Sequence, residues 1–165
     1  LTQLLIHFLE ENDLEDLKDI RQSAIKALNE LPGEKLHPFI ESLQPRTHTL
    51  IEMIGMSRFF LDENVTFDPK AQKKFMVPDN QDLFEELAKS LETLAEPWTG
   101  EGMDTALRAI AEQRGVGLGK VAQPLRVALT GKTVAPPITD IVAILGKDRT
   151  LERIRSAAEL VQGEA

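Results

Sequence analysis

The sequence predicts an all-α protein made of two packed helical subdomains, a helical bundle. Three observations carry the helical part of that expectation. Tyr is absent and aromatic residues make up 5% of the 165 positions, while Leu, Ala, Glu, Lys and Ile are frequent; most of these are helix formers rather than the aromatic and β-branched residues that fill sheets. Apolar residues return at intervals of three and four, the spacing of a helix that buries one stripe. Proline and glycine interrupt those runs where helices should stop.

The chain opens at Leu1 in an apolar helical pattern, without an initiator methionine, which leads to the expectation that it is a piece of something longer. Leu14, Leu17, Ile20, Ala24, Ala27, Leu28 and Leu31 then predict a helix from about 14 to 30, ended by Pro32-Gly33. A short helix over 35–43 follows. Past Gln44-Pro45-Arg46, a second long amphipathic helix is expected over about 47–62 from Leu50, Ile51, Ile54, Phe59, Phe60 and Leu61. Residues 1–66 therefore read as one helical subdomain.

A linker is expected over 67–80, where Asp68-Pro69 has the form of an N-cap with proline at the first helical position and Val77-Pro78-Asp79 marks a break. The second subdomain, 81–165, begins with a helix from about 80 to 96 carried by Leu83, Phe84, Leu87, Leu91 and Leu94 and stopped by Pro97. After a loop over 98–102, Met103, Leu107, Ile110 and Ala111 define a helix closed by Gly115. The next helix spans Leu118 to Leu129, with Pro124 inside it to kink it or start a new turn and Gly131 closing it. An irregular loop over 132–137 leads into a short helix ending at Gly146, and Asp148 is expected to cap the last one.

Charge is distributed unevenly along this chain. Residues 1–112 hold 11 Lys/Arg against 22 Asp/Glu, or −11, whereas 113–165 hold 8 against 5, or +3, which together give the net −8. Between Gln113 and Thr139 there are Arg114, Lys120, Arg126 and Lys132 and no acid, a local +4. A net negative chain is a poor coating for nucleic acid, because sequence-independent affinity comes from cations on phosphates. A focused site is still compatible with it, since screening confines each charge to roughly 8 Å at physiological salt.

Several chemistries find no support. With no Cys there is no thiolate nucleophile, no zinc-thiolate site and no disulfide. His7, His37 and His48 lie in separate segments without metal-ligand spacing, so no metal is assigned. Gly115-Val116-Gly117-Leu118-Gly119-Lys120 looks like a phosphate loop, yet Val121 stands where Ser or Thr is needed, and it reads as a helix-to-helix turn. Acidic pairs such as Glu10-Glu11 and Glu85-Glu86 read as solvated faces, and no serine sits in a nucleophile elbow. No catalytic residue is assigned, and with no apolar run long enough to span a bilayer a soluble, cytoplasmic chain is expected.

The basic segment leaves two readings open. Lys120, Arg126 and Lys132 flank a kinked helix and the loop after it, and Ala135-Pro136-Pro137-Ile138 offers apolar surface on which an unpaired base can lie. A plain solvated basic helix accounts for the same charges. From a different class, a helical protein–protein interaction module would suit the acidic N-terminal half.

The run from Val121 to Gly131 (Val-Ala-Gln-Pro-Leu-Arg-Val-Ala-Leu-Thr-Gly), followed by Val134-Ala135-Pro136-Pro137-Ile138 and by Ile144 through Ile154, resembles the C-terminal anticodon-binding region of bacterial glutamyl-tRNA synthetases. The upstream runs Gln44-Pro45-Arg46-Thr47-His48-Thr49-Leu50 and Ser57-Arg58-Phe59-Phe60 are similar to the preceding helical domain of that family. The resemblance implies recognition of the anticodon loop of glutamate tRNA, by a monomer, with no membrane and with no cofactor in this chain. ATP and magnesium are implied for the full-length ligase, whose catalytic motifs are absent here. Arg126 is implied as an anticodon contact, Ala135, Pro136, Ile138 and Thr139 as the surface packing on anticodon bases, and Arg46 as the reader of the third base. Lys120 and Lys132 fall near phosphates. Family members carry Ser or Thr at 135, Gly at 137 and Phe at 139 where this chain has Ala135, Pro137 and Thr139, and each lost base stack is worth about 1–3 kcal/mol.

Overall fold

The computed structural model describes residues 2–12, 15–30, 32–95, 98 and 100–163. Among these residues every regular element is helical. The chain divides into two compact units, Leu1–Asn64 and Val65–Ala165.

In the first unit, α1 (Thr2–Glu11), α2 (Arg21–Glu30), α3 (Gly33–Leu43), α4 (Leu50–Met56) and α5 (Arg58–Leu61) follow one another with 3₁₀ turns at Glu15–Leu17 and Gln44–Arg46. Leu5, Leu9, Ile20, Ala24, Phe39, Leu43, Ile54 and Phe59 form the buried interior. Phe39 meets Phe59 edge-on with ring centroids 5.8 Å apart, an arrangement that aligns the positive edge of one ring with the face of the other.

Two predicted helices of this unit are shorter than expected, and in the second unit the helix expected to reach about 96 ends at Glu92. The predicted 14–30 helix begins at Arg21, and the chain before it turns through i→i+3 bonds, Ile20 N donating to Leu17 O. Asp is a weak helix former, and here the exposed Asp19 takes two bonds from Arg58, at 2.7 and 2.8 Å, just before α2 begins. That guanidinium holds the Asp19 carboxyl below the usual carboxylate range. The predicted 47–62 helix is split because Thr49 caps α4, its hydroxyl accepting from Glu52 N, while the Ser57 hydroxyl turns back onto Met53 O between α4 and α5. Leu1, Leu14, Leu31 and the stop at Pro97 lie outside the described residues.

The second unit opens with α6 (Pro69–Phe75), a 3₁₀ turn at Pro78–Asn80 and α7 (Gln81–Glu92), then α8 (Gly100–Gln113), α9 (Gly119–Thr130) and α10 (Ile138–Gly163). The stretch expected as a linker, 67–80, thus carries a helix, and it lies inside this unit. Its start is fixed by Asp68, whose carboxylate accepts from Lys70 N and Ala71 N while Pro69 supplies a preset φ. Ala71 and Met76 then anchor it, each 2% exposed.

Helix α7 packs along α10 through Phe84, Leu87 and Leu91, all completely buried, and α9 lies against α8 and α10. Gly115, at φ 64°, closes α8 with Val116 N donating to Ala111 O, so the glycine-rich run is a turn between helices. Gly146, at φ 78°, interrupts the helical backbone of α10, which is where the pattern calls for two helices.

Candidate nucleic-acid interface

Helix α9 and the loop after it gather most of the predicted site residues in the second unit. Val121, Leu125, Ala128 and Leu129 return every three or four residues and are buried to 1% exposure or less, which fixes the rotation of the helix about its axis. Pro124 is buried too, and it does not break α9. It sits near enough to the start that the carbonyl deprived of its partner is that of Lys120, an exposed residue.

With that stripe turned inward, Arg126 lies half-buried and Lys120 is exposed. Arg126 Nη1 donates to the carbonyl of Ala135, nine residues on, at 3.2 Å. The Thr130 hydroxyl donates back to Arg126 O at 2.8 Å and accepts from Lys132 N at 3.2 Å. Gly131 makes the turn at φ 73°, and its carbonyl accepts from Asp68 N at 2.9 Å. The loop over 131–137 is therefore pinned at both ends.

These bonds decide what the loop presents. Ala135 and Ile138 are 8% and 7% exposed and Pro136 is buried as well, so the apolar surface expected from these three is turned into the fold. The cause is local. Ala135 follows its own carbonyl toward Arg126, and Ile138 opens the inward stripe of α10, where Pro137 O accepts from Asp140 N and Ile141 N. Pro137 and Thr139 are half-buried. What stands outside is Lys132, Thr133 and Val134, the last 73% exposed.

Val134 was not singled out by sequence reasoning. The available signal was its position, three residues past a glycine closing a helix and ahead of two prolines, where a loop tip is expected.

Beyond the loop, Thr139 stands next to the start of α8. A Cβ placed on Gly100 would lie 3.4 Å from Thr139 Cγ2, an ordinary van der Waals contact. Trp98 donates through Nε1 to Leu94 O at 3.3 Å and carries Lys147 Nζ 5.9 Å from its ring centre.

The local charge is smaller than the sequence count. Arg114 Nε is 2.6 Å from Glu86 Oε2, with both side chains about a quarter exposed, so one of the four cations is compensated and +4 becomes +3. Arg153, 6% exposed, donates to Leu129 O at 2.7 Å and serves the packing of α9 on α10. Arg46 belongs to the first unit, where it is exposed and its Nη1 donates to Ser42 O at 2.6 Å. His7, His37 and His48 are exposed, and among the described residues no three His, Cys, Asp or Glu side chains converge on a common point.

The arrangement is suited to holding a polyanion with unstacked bases. It offers a loop pinned at both ends, with one exposed apolar tip beside Lys132, while Lys120 is exposed at the far end of α9; the sequence is free of carboxylates from 113 to 139. Nothing in it provides a nucleophile with a base.

The profile of the anticodon binding domain family matches residues 1–158. The chain is 37% identical over 161 residues to a glutamate–tRNA ligase of Syntrophobacter fumaroxidans, covering 96% of this chain and 34% of that protein. It is 40% identical over 130 residues to a glutamate–tRNA ligase of Desulfosudis oleivorans, covering 79% of this chain and 28% of that protein. The fold is similar to that of a crystallised glutamate tRNA ligase from Elizabethkingia meningosepticum, with a TM-score of 0.73 at 27% identity over 96% of this chain and 31% of that one. The chain thus spans about a third of the length of the curated relatives it matches.

Proposed function

The chain belongs to the anticodon binding domain family, in the form carried by glutamate–tRNA ligases, and from that premise we propose that it reads the anticodon loop of glutamate tRNA for a ligase that charges this tRNA. The observation that carries the reading is the Arg126–Ala135 bond, which holds an acid-free loop with its tip in solvent. Unpaired anticodon bases are recognised by stacking and by hydrogen bonds to their edges. The loop can offer both.

The roles divide by exposure. Arg126 braces the loop through its bond to the Ala135 carbonyl, and its role as an anticodon contact is supported by the resemblance. Val134, Pro137 and Thr139 present the outer surface to bases, while buried Ala135, Pro136 and Ile138 shape it from beneath. Lys120 and Lys132 neutralise phosphates. For Arg46 as reader of the third base, the support is the resemblance and the exposure of its side chain.

ATP and magnesium belong to the proposed whole ligase. The residues here do not fit them, because the one Gly-rich run before a lysine is a turn between α8 and α9, with Val121 where a metal-binding hydroxyl would stand. The protein is proposed to act as a monomer in the cytoplasm; among the described residues no helix is long and apolar enough to cross a membrane.

A titration with labelled anticodon stem-loops tests the reading. Arg126→Ala should abolish the preference for the glutamate anticodon over a base-substituted one, whereas Lys132→Ala should weaken both RNAs alike and reduce the salt slope by about 1. Equal, sequence-blind losses from both variants would remove Arg126 from base reading.

A further inference from the structure

Helix α6 carries lysines that neither the fold nor the anticodon loop accounts for. Lys70, Lys73 and Lys74 all lie within a helix of seven residues that contains no acid, and all three are exposed. Positions i, i+3 and i+4 share one face of a helix, and Ala71 occupies the buried side.

The helix dipole explains two of the three at most. Lys73 and Lys74 sit in the last turn, where a cation is favoured, but Lys70 sits in the first turn, where it is disfavoured. None of the three makes an ion pair among the described residues. Lys74 Nζ lies 5.2 Å from the ring centre of neighbouring Phe75, a contact that leaves its charge uncompensated. In a chain of net charge −8 that is an unusual concentration of free cations.

Their place in the fold gives them a use. Thr66 and Phe67, just before α6, run against Gly131, and Asp68 N donates to Gly131 O. Lys132 is the next residue. One backbone hydrogen bond thus joins the start of the lysine helix to the basic loop, and α6 packs on α9.

We propose that Lys70, Lys73 and Lys74 form a phosphate-binding strip that continues the loop at Lys132 and grips the RNA backbone flanking the anticodon loop without reading bases. The proposal rests on the anticodon reading above. Ammonium groups make such contacts as point charges, releasing counterions and carrying no sequence information.

The test is a salt titration of the whole chain with an unmodified glutamate tRNA transcript. The protein carrying Lys70→Gln, Lys73→Gln and Lys74→Gln together should bind with a log–log salt slope shallower by about 2, from roughly 0.7–0.9 per phosphate contact. Its ranking of anticodon-substituted transcripts should equal that of the unaltered protein. Each single variant should lower the slope by a third of that amount, and helical circular dichroism should be unchanged. A control with Lys26→Gln, Lys35→Gln and Lys89→Gln, exposed lysines elsewhere, should keep the original slope.

If the unaltered protein binds and the α6 triple variant keeps its slope, the strip is overturned and the anticodon reading stands. An equal loss from the control would reduce the effect to net charge and also overturn it. Absence of any tRNA binding by the unaltered protein would remove both proposals together.

Discussion

Val134 and Arg126 sit eight residues apart and do opposite things with their exposure. A valine 73% in solvent contributes little to folding, since surface changes away from special features stay within about 0.5 kcal/mol. Its replacement by Asp should therefore leave thermal stability nearly untouched. RNA affinity should fall by about tenfold or more, because the change removes the apolar tip and puts a negative charge beside phosphates. A melting curve together with a stem-loop titration checks both, and an unchanged affinity would take Val134 out of the interface.

Arg126 is the residue at which sequence and structure inform each other most. Its place in the basic run was legible, as was the absence of carboxylates near it. Its bond to the Ala135 carbonyl was not, because a side chain reaching backbone nine residues away leaves no trace in spacing or composition. The same bond explains why Ala135 lies beneath the surface the sequence assigned to it, while Ile138 is drawn in with the buried stripe of α10.

At the scale of elements, the tightest constraint is the passage of residues 66–68 across the end of α9. A Cβ on Gly131 would collide with the Thr66 carbonyl and lie 3.1 Å from Phe67 Cα, and the residue is held at φ 73°. Gly131→Ala should destabilise the second unit by about 2 kcal/mol or more, combining the penalty of a left-handed backbone with that clash. For a unit of this size that corresponds to a midpoint roughly 10 °C lower, readable by differential scanning calorimetry. A loss below about 0.5 kcal/mol would show that the 66–68 passage yields easily.

Capping made much of the helical layout readable. Asp68-Pro69, Gly115, Gly131 and Gly146 each mark a boundary in the structure, since each places a side chain or a left-handed backbone where a helix must start or stop. The splits near Asp19 and Ser57 escaped detection. The bidentate Arg58–Asp19 pair joins residues 39 apart in sequence, and Ser57 turns a hydroxyl onto its own helix.

At the scale of the whole molecule, charge and site go together. Residues 1–64 carry 6 Lys/Arg against 12 Asp/Glu, or −6, and 65–165 carry 13 against 15, or −2, which sum to −8. The near-neutral second unit owes its balance to the cations of α6, α9 and the loop after α9. A protein that coated nucleic acid at large would spread cations over both units. This one concentrates them where a single loop is pinned open.

The most direct measurement is a backbone amide chemical-shift map of the labelled chain as glutamate-tRNA anticodon stem-loop is added. The account predicts that the largest shifts in the second unit fall on Lys120 and on 132–139, excluding the amide-less Pro136 and Pro137, with amides of the α7–α10 interior unmoved. Saturable shifts that leave 132–139 silent and cluster elsewhere in that unit would contradict it.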